Sequence, residues 1–283
     1  IREFVFFILV SLAGRTACCA LEDYPGNWPA AVTYNNGEVL ACGGLDLEDA
    51  DRCWRFDGSA WLSLPNSNQK HCYKDSPNIV MNDGWWVTGR LQTGDGWGSC
   101  FSSTASSEIY TGATENAWIP GPALPGDEYP EYSCVVNLNT THTLLIGGGD
   151  PTPTNHVWLY DWSSQAWTRT GSLIQGRRDQ GCVTLDAERI LVAGGEDGSD
   201  NVYSVEIYDA TQGTWSSQPD LPADINPIAP ILLNWDDQVL ALFWDEDQIY
   251  QRSEENGEWS VLPGVQLPSS FDNYRHDKAV LVL

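Results

Sequence analysis

The sequence predicts an all-β chain built from a repeated unit, and two copies of that unit carry the prediction. The clearest copy spans residues 182–215, and the copy before it spans residues 134–167. Each has an alternating segment, an apolar segment closing on a glycine run, a polar loop, and then Tyr-Asp followed by Trp. Seven positions separate Tyr160 from Trp167 and Tyr208 from Trp215. A shared order at nearly equal spacing indicates an internal repeat rather than a similar composition.

Three weaker copies extend the repeat along the chain. They end on Trp61, Trp118 and Trp259, so that successive terminal tryptophans lie 44 to 57 residues apart. The last copy has the apolar segment and the aromatic residues but lacks the glycine pair. The complete units are predicted at residues 28–66, 76–125, 132–173, 180–222 and 228–265, and residues 274–283 resemble the first segment of a sixth.

This pattern resembles the Kelch repeat, in which one unit of about 50 residues forms one four-stranded blade of a β-propeller. The resemblance covers roughly residues 28–283. It implies a Kelch-type β-propeller over residues 24–283, with five complete four-stranded blades plus the first strand of a sixth. Glycine pairs are expected where the second strand of a blade turns tightly. Tyr and Trp are expected to fill the space between neighbouring blades.

The charge of the chain limits its partners. Lys and Arg total 14 against 39 Asp and Glu, which gives a formal net charge of -25. A surface this negative repels phosphate backbones and anionic lipid, so we expect no nucleic-acid binding and no membrane binding. Solubility of an extracellular protein is the simplest reason for so much acid, although such a surface also attracts cationic partners.

The first 20 residues resemble a signal peptide. An apolar run from Phe4 to Ala13 follows Arg2, and small residues follow at positions 17–20. A run of about ten residues is too short to span a bilayer but suits the apolar region of a secretory signal. A buried first strand is the alternative. The sequence therefore predicts a secreted, extracellular protein.

Eight cysteines fit that prediction, since extracellular domains favour disulfides. We expect three pairs: Cys42 with Cys53 around the first glycine turn, Cys72 with Cys100 around the second, and Cys134 with Cys182 at equivalent repeat positions. One sequence cannot establish this connectivity, and buried free thiols are the alternative. There is no CxxC pair and there are only four His, so a zinc site is not expected. No metal or other cofactor is predicted, and whether the acidic loops bind calcium does not follow from the sequence.

Two propeller enzymes provide alternatives to a non-enzymatic function. Galactose oxidase holds copper with two His and two Tyr, whereas the four His here, at positions 71, 142, 156 and 276, are widely scattered. The sialidase Asp-box is not matched, because Asp209 and Gly213 lie at the wrong distances from Trp215. We therefore predict that the chain is not an enzyme.

Four arginines are candidate binding residues in this acidic chain. Arg90, Arg177, Arg178 and Arg275 each lie just after a glycine turn or just before a first strand. In propellers these positions open toward one face, where gathered positive charge forms a recognition surface. Alternatively, each arginine pairs with a nearby acid.

Asn139 is a candidate glycosylation site. It begins the sequon Asn139-Thr140-Thr141 in a predicted hairpin of the third unit, which is an exposed place suited to N-glycosylation in a secreted protein.

These features predict a secreted, monomeric Kelch propeller that displays loops on a rigid scaffold to bind a protein or glycan. The alternatives are an enzyme of galactose oxidase-like type and an intracellular Kelch adaptor for a ubiquitin ligase. The identity of the ligand does not follow from the sequence.

Overall fold

A computed structural model gives the fold in terms of β-strands. It describes residues 5–8, 20–21, 31–35, 38–42, 51–56, 60–68, 78–81, 84–88, 107–112, 116–125, 132–149, 152–235, 237–243, 246, 248–265 and 280–281. Within these ranges, no helix is long and apolar enough to cross a membrane.

The described chain contains strands throughout, which confirms the all-β prediction. Those in the first part are β1 (Val5–Ile8), β2 (Ala20–Leu21), β3 (Ala31–Asn35), β4 (Glu38–Cys42), β5 (Cys53–Phe56), β6 (Trp61–Ser63), β7 (Asn78–Met81), β8 (Gly84–Thr88), β9 (Ser107–Tyr110) and β10 (Trp118–Pro120). Those that follow are β11 (Cys134–Asn137), β12 (His142–Ile146), β13 (Val157–Asp161), β14 (Ala166–Arg169), β15 (Gly181–Asp186), β16 (Arg189–Ala193), β17 (Val205–Asp209), β18 (Thr214–Gln218), β19 (Ile231–Trp235), β20 (Gln238–Leu242), β21 (Ile249–Arg252), β22 (Trp259–Val261) and β23 (Val280–Leu281).

The chain divides into two compact units, of which the first comprises Ile1–Glu131 and Lys278–Leu283. This unit contains two four-stranded antiparallel sheets, β3–β6 and β7–β10, in chain order. Its third sheet has the order β2-β1-β23, with β1 parallel to β23.

The second unit, Tyr132–Asp277, contains three four-stranded antiparallel sheets: β11–β14, β15–β18 and β19–β22. The first strands β11, β15 and β19 of these sheets lie beside one another. All five four-stranded sheets of the described residues fall within the five predicted repeat spans. Four-stranded sheets are what Kelch blades require, while the number of blades and the closure of the ring stay predictions.

The N-terminal segment and the C-terminal strand take a form that the repeat did not predict. The segment assigned to a signal peptide contains β1, and the assignment to a signal peptide stays a prediction. The segment predicted to start a sixth blade contributes β23, whose Val280 lies opposite Phe7 of β1.

The middle sheet of the second unit is buried on both faces through β16. Ile190 and Val192 belong to a cluster with Leu144 and Ile146 of β12, whereas Leu191 and Ala193 belong to a cluster with Phe243 and other residues around β20. Successive side chains of a strand point to opposite faces, so each pair serves a different neighbour. This is why β16 is a continuous apolar run rather than an alternating one.

Paired Tyr and Trp rings join the third and fourth strands of three sheets. Tyr110 lies opposite Trp118, Tyr160 opposite Trp167 and Tyr208 opposite Trp215, with ring centroids 5.3, 4.9 and 5.2 Å apart. These are the separations at which aromatic rings attract one another.

Two of these tryptophans also donate a hydrogen bond to the linker that precedes their sheet. Trp215 Nε1 donates to the carbonyl oxygen of Gly171, which follows β14, at 2.7 Å. Trp118 Nε1 donates in the same way to Pro65, which follows β6, at 2.8 Å. The tryptophan at this repeat position therefore joins each of these two sheets to the linker before it by a hydrogen bond.

In the last sheet, the Tyr and the Trp of the repeat do not lie opposite each other as they do in the three sheets above. Tyr250 lies opposite Val261, and Trp259 lies opposite Arg252. Nine positions separate Tyr250 from Trp259, against seven in the two preceding sheets, because a longer turn joins β21 to β22. Tyr250 instead packs edge-on against Phe243, with centroids 5.3 Å apart.

Candidate binding surface beside the first strands

One edge of the second unit carries the long connections. Because the strands are antiparallel, the loops between second and third strands and the linkers between sheets reach the same edge. We call this edge the loop face; its described residues are 132–133, 147–149, 152–156, 170–180, 194–204, 219–230, 243, 246, 248 and 262–265. The short hairpins at 138–141, 187–188 and 210–213 lie at the opposite edge.

Backbone hydrogen bonds connect the three segments that precede the first strands at the loop face. Tyr132, Asp179 and Ala229 each lie two residues before a first strand and have φ values of 59°, 52° and 50°. Asp179 N–H donates to the carbonyl oxygen of Tyr132 at 3.0 Å, and Ala229 N–H donates to that of Asp179 at 2.6 Å. Non-glycine residues seldom adopt this left-handed conformation, and its repetition gives the three segments one fixed form.

The glycine pair after β16 lets the loop approach its neighbours, as the sequence predicts. Gly194 and Gly195 have φ values of 74° and 98°. A Cβ atom at Gly194 would collide with the carbonyl oxygen of Pro227, and one at Gly195 with that of Arg178. Only glycine fits both this backbone conformation and this spacing.

Arg177 is in the interior rather than on the binding surface expected from the sequence, with its side chain 0% exposed. All five of its N–H groups are used. Nε donates to Gln175 O, Nη1 to Gly194 O and Ser204 O, and Nη2 to Ser204 Oγ and Glu206 Oε1. Burial lowers the pKa of the Arg177 guanidinium from its usual range, and the charge of Glu206 opposes that shift.

Glu206 connects this buried arginine to the preceding linker. Besides Arg177, its carboxylate accepts the N–H of Ile174 at 2.7 Å and that of Gln175 at 3.2 Å. Glu108 has the matching position in the first unit and accepts the N–H of Asn68 at 2.8 Å. The prediction from sequence did not include this role, although Glu-Ile-Tyr occurs in both repeats and indicates it.

Arg178 is the partly exposed arginine of the loop face. Its Nε donates to Glu196 Oε1 at 2.6 Å, and its guanidinium lies 5.3 Å from the centre of the Tyr132 ring. Its backbone exchanges two hydrogen bonds with that of Glu196, both 2.9 Å long. Of the four candidate arginines, the two that the structure describes thus each pair with an acid, which was the alternative expectation. Arg90 and Arg275 lie outside the described residues.

The first strands of two sheets are joined covalently. Cys134 of β11 and Cys182 of β15 form a disulfide with Cα atoms 6.2 Å apart, as the repeat positions predict. Cys53 is also disulfide-bonded, and the strand register places Cys42 opposite it. The side chain of Cys42 and all of Cys72 and Cys100 lie outside the described residues.

Asn139 lies in the hairpin between β11 and β12, as predicted. Its Oδ1 accepts the N–H groups of Thr141 and His142, both at 3.0 Å, and its Nδ2 donates to Ala187 O at 3.3 Å. This hairpin is at the edge opposite the loop face. Glycosylation of Asn139 stays a prediction.

Two of the four histidines fall in the described chain, and they are far apart in the fold. His142 starts β12 at the hairpin edge, with Nδ1 2.9 Å from Thr141 Oγ1, and His156 precedes β13 at the loop face. His71 and His276 lie outside the described ranges. Among the residues with described side chains, no three His, Cys, Asp or Glu form a group that could hold a metal ion.

Comparison with known proteins gives the same repeat. Residues 177–222 match the Kelch motif. The chain is 34% identical over 88 residues to an F-box/kelch-repeat protein of Arabidopsis thaliana, and the aligned part covers 30% of this chain and 22% of that protein. It is 29% identical over 113 residues to Kelch-like protein 35 of Mus musculus, and the aligned part covers 40% of this chain and 19% of that protein.

Kelch-like protein 6 of Homo sapiens is 30% identical over 102 residues, covering 36% of this chain and 16% of that protein. The matched part of the chain therefore spans about a fifth of the length of these curated relatives.

Proposed function

Because this chain is a Kelch-repeat protein, we propose that it is a non-enzymatic scaffold that binds a partner protein through the loop face. Loops held by a rigid framework are where such folds carry recognition. The observation that best supports the proposal is the hydrogen-bonded chain Tyr132–Asp179–Ala229, which joins the segments before three first strands. A surface fixed in this way loses little conformational entropy when a partner binds.

Cross-linking from opposite edges of one sheet tests this proposal. A photo-crosslinking amino acid is placed at Ser199, which is exposed at the loop face, or at Ala187, which is exposed in the hairpin at the opposite edge. We expect a discrete protein adduct in extracts from the native source at Ser199 and none at Ala187. Equal labelling at both positions, or none at Ser199, would contradict a binding role for the loop face.

Secretion forms a second part of the proposal. It is supported by the disulfide between Cys134 and Cys182, because disulfides persist in oxidising compartments. The intracellular adaptor is the other candidate, and it is favoured by relatives whose names include F-box and kelch-repeat.

Expression of all 283 residues in cultured eukaryotic cells separates these two candidates. Recovery from the medium, with Cys134 and Cys182 protected from alkylation, supports secretion. Retention in the cytosol with both thiols reactive supports the adaptor. Glycan recognition stays a prediction, tested by whether enzymatic deglycosylation of the extract abolishes the Ser199 adduct.

A further inference from the structure

Ile174 is an unusually exposed apolar side chain at the loop face. It lies in the linker between β14 and β15 and is 59% exposed, the highest value among the large apolar side chains of the described residues. Its neighbour Leu173 is only 2% exposed. A single exposed apolar residue is common on protein surfaces, so its exposure alone would indicate nothing.

What distinguishes Ile174 is that buried groups fix its backbone. Its N–H donates to Glu206 Oε2 at 2.7 Å, and the N–H of Leu173 donates to the carbonyl oxygen of Asn155 at 2.9 Å. Glu206 is in turn held by the ion pair with the fully buried Arg177. The linker therefore presents Ile174 in one conformation, as interface residues with large binding contributions usually require.

The surroundings of Ile174 are acidic. Gln175 Nε2 donates to Asp197 Oδ2 at 3.5 Å, which joins the linker to the loop after β16. Asp200 follows in that loop and is exposed. The nearby positive charges are already paired, Arg177 with Glu206 and Arg178 with Glu196. The N–H of Asp200 donates to Asp197 Oδ1 at 2.9 Å, so net negative charge remains in the loop that contacts the residue after Ile174.

Resting on the function proposed above, we infer that Ile174, Asp197 and Asp200 form a docking surface for a segment of a partner protein that carries an apolar side chain next to Lys or Arg. The apolar side chain packs on Ile174 while the basic group faces the two aspartates. A second copy of this chain would bring the same excess of negative charge, with a formal net charge of -25, and a nucleic acid would bring phosphates. Charge complementarity therefore favours a basic protein segment.

Selection from a phage-displayed random peptide library tests this inference. The bait is the full chain, and selected peptides are synthesised and their affinities measured at low and high salt. We expect enrichment of peptides with an apolar residue beside Lys or Arg, bound more weakly as salt rises. Ile174→Asp and Asp200→Lys should each weaken binding roughly tenfold or more.

Two substitutions at exposed positions in the last sheet, outside the linker at 170–180 and the loop at 194–204, serve as controls. Val261→Asp, at a residue that is 40% exposed, controls for Ile174→Asp, and Glu255→Lys controls for Asp200→Lys. Both should leave affinity unchanged. Thermal unfolding of all four variants checks that each is folded.

The inference is overturned if no such peptides are enriched, or if Ile174→Asp binds them as tightly as the native chain. The proposed function then still stands if Ser199 cross-links to a protein, since a contact at the loop face that does not depend on Ile174 would account for the adduct. Loss of both results removes the proposed function as well.

Discussion

Arg177 and Glu206 form an ion pair from which solvent is excluded, with Nη2 and Oε1 2.5 Å apart and side chains 0% and 2% exposed. Buried pairs of this kind are costly to break, because the remaining charge has no water around it. We expect Glu206→Leu to lower the free energy of unfolding by about 3–5 kcal/mol. Adding Arg177→Met should restore part of this loss, since the unpaired charge is then removed.

Denaturant unfolding of the single and double variants measures both effects. Arg189→Ala is the control: its pair with Asp186 is exposed, so it should cost at most about 1 kcal/mol. A Glu206→Leu variant as stable as Arg189→Ala would contradict the predicted role of the buried pair.

The hydrogen bond from Trp215 to Gly171 predicts that replacing Trp215 destabilises the protein more than replacing Trp259. Trp215→Phe leaves the Gly171 carbonyl oxygen without its donor, whereas Trp259 Nε1 has no acceptor among the described residues. Both substitutions remove similar apolar area. We therefore expect Trp215→Phe to destabilise the protein by about 1 kcal/mol more than Trp259→Phe in denaturant unfolding. Equal losses would mean that the hydrogen bond contributes nothing.

The close approach at Gly195 predicts a penalty beyond backbone conformation. Gly195 and Gly264 both have positive φ, at 98° and 79°, but a Cβ at Gly264 has nothing within 4 Å. Gly264→Ala should therefore show only the conformational cost of about 1–2 kcal/mol. Gly195→Ala should cost a further 1–3 kcal/mol or so, because the backbone at Arg178 must move. Thermal unfolding compares the two, and similar melting temperatures would argue against the collision.

The disulfide between Cys134 and Cys182 closes a loop of 48 positions. Replacing both cysteines with serine should lower the free energy of unfolding by about 2–5 kcal/mol, because the unfolded chain gains freedom. Unfolding without reductant is the measurement, since reductant would also affect the disulfide of Cys53. Free thiols at both positions in native protein purified without reductant would contradict the pairing.

Asp161, in the Tyr-Asp part of the repeat, has a pKa lowered from 3.8 to about 2, chiefly by a hydrogen bond from the Ser163 hydroxyl. A carboxyl whose pKa falls on folding stabilises the protein above its unfolded pKa. That stabilisation is lost as pH falls from about 4 to about 2. In an NMR titration, Ser163→Ala should raise the pKa of Asp161 towards its ordinary value, and an unchanged value would exclude the hydroxyl as the cause.

The repeat predicted the strands well because burial determines both the repeated sequence pattern and the position of the strands. The continuous apolar run of β16 follows from packing on both faces, and the glycine pair and the facing Tyr208 and Trp215 follow from the close approach of neighbouring segments, so the pattern in the sequence is the pattern of burial. The register of β21 and β22 was not predictable from aromatic order alone, since the length of the intervening turn sets it.

The candidate site was less predictable than the strands. Position before a first strand placed Arg177 and Arg178 at the loop face, but it did not indicate that the Arg177 side chain turns inward, and a binding role for Arg178 stays a prediction. The partner of Arg177 is 29 residues away, and only the folded linker brings the two together. Glu206 could have been noticed by comparing Glu-Ile-Tyr in two repeats, whereas the exposure of Ile174 leaves no mark in the sequence.

The packing of β16 on both faces affects how the second unit unfolds. Because its successive side chains belong alternately to the hydrophobic clusters on either side, neither flanking sheet can detach without exposing half of β16 to water. Opening at one sheet therefore weakens the next one along. We therefore expect the three sheets to unfold as one cooperative unit, so that a defect in any of them also destabilises the loop face.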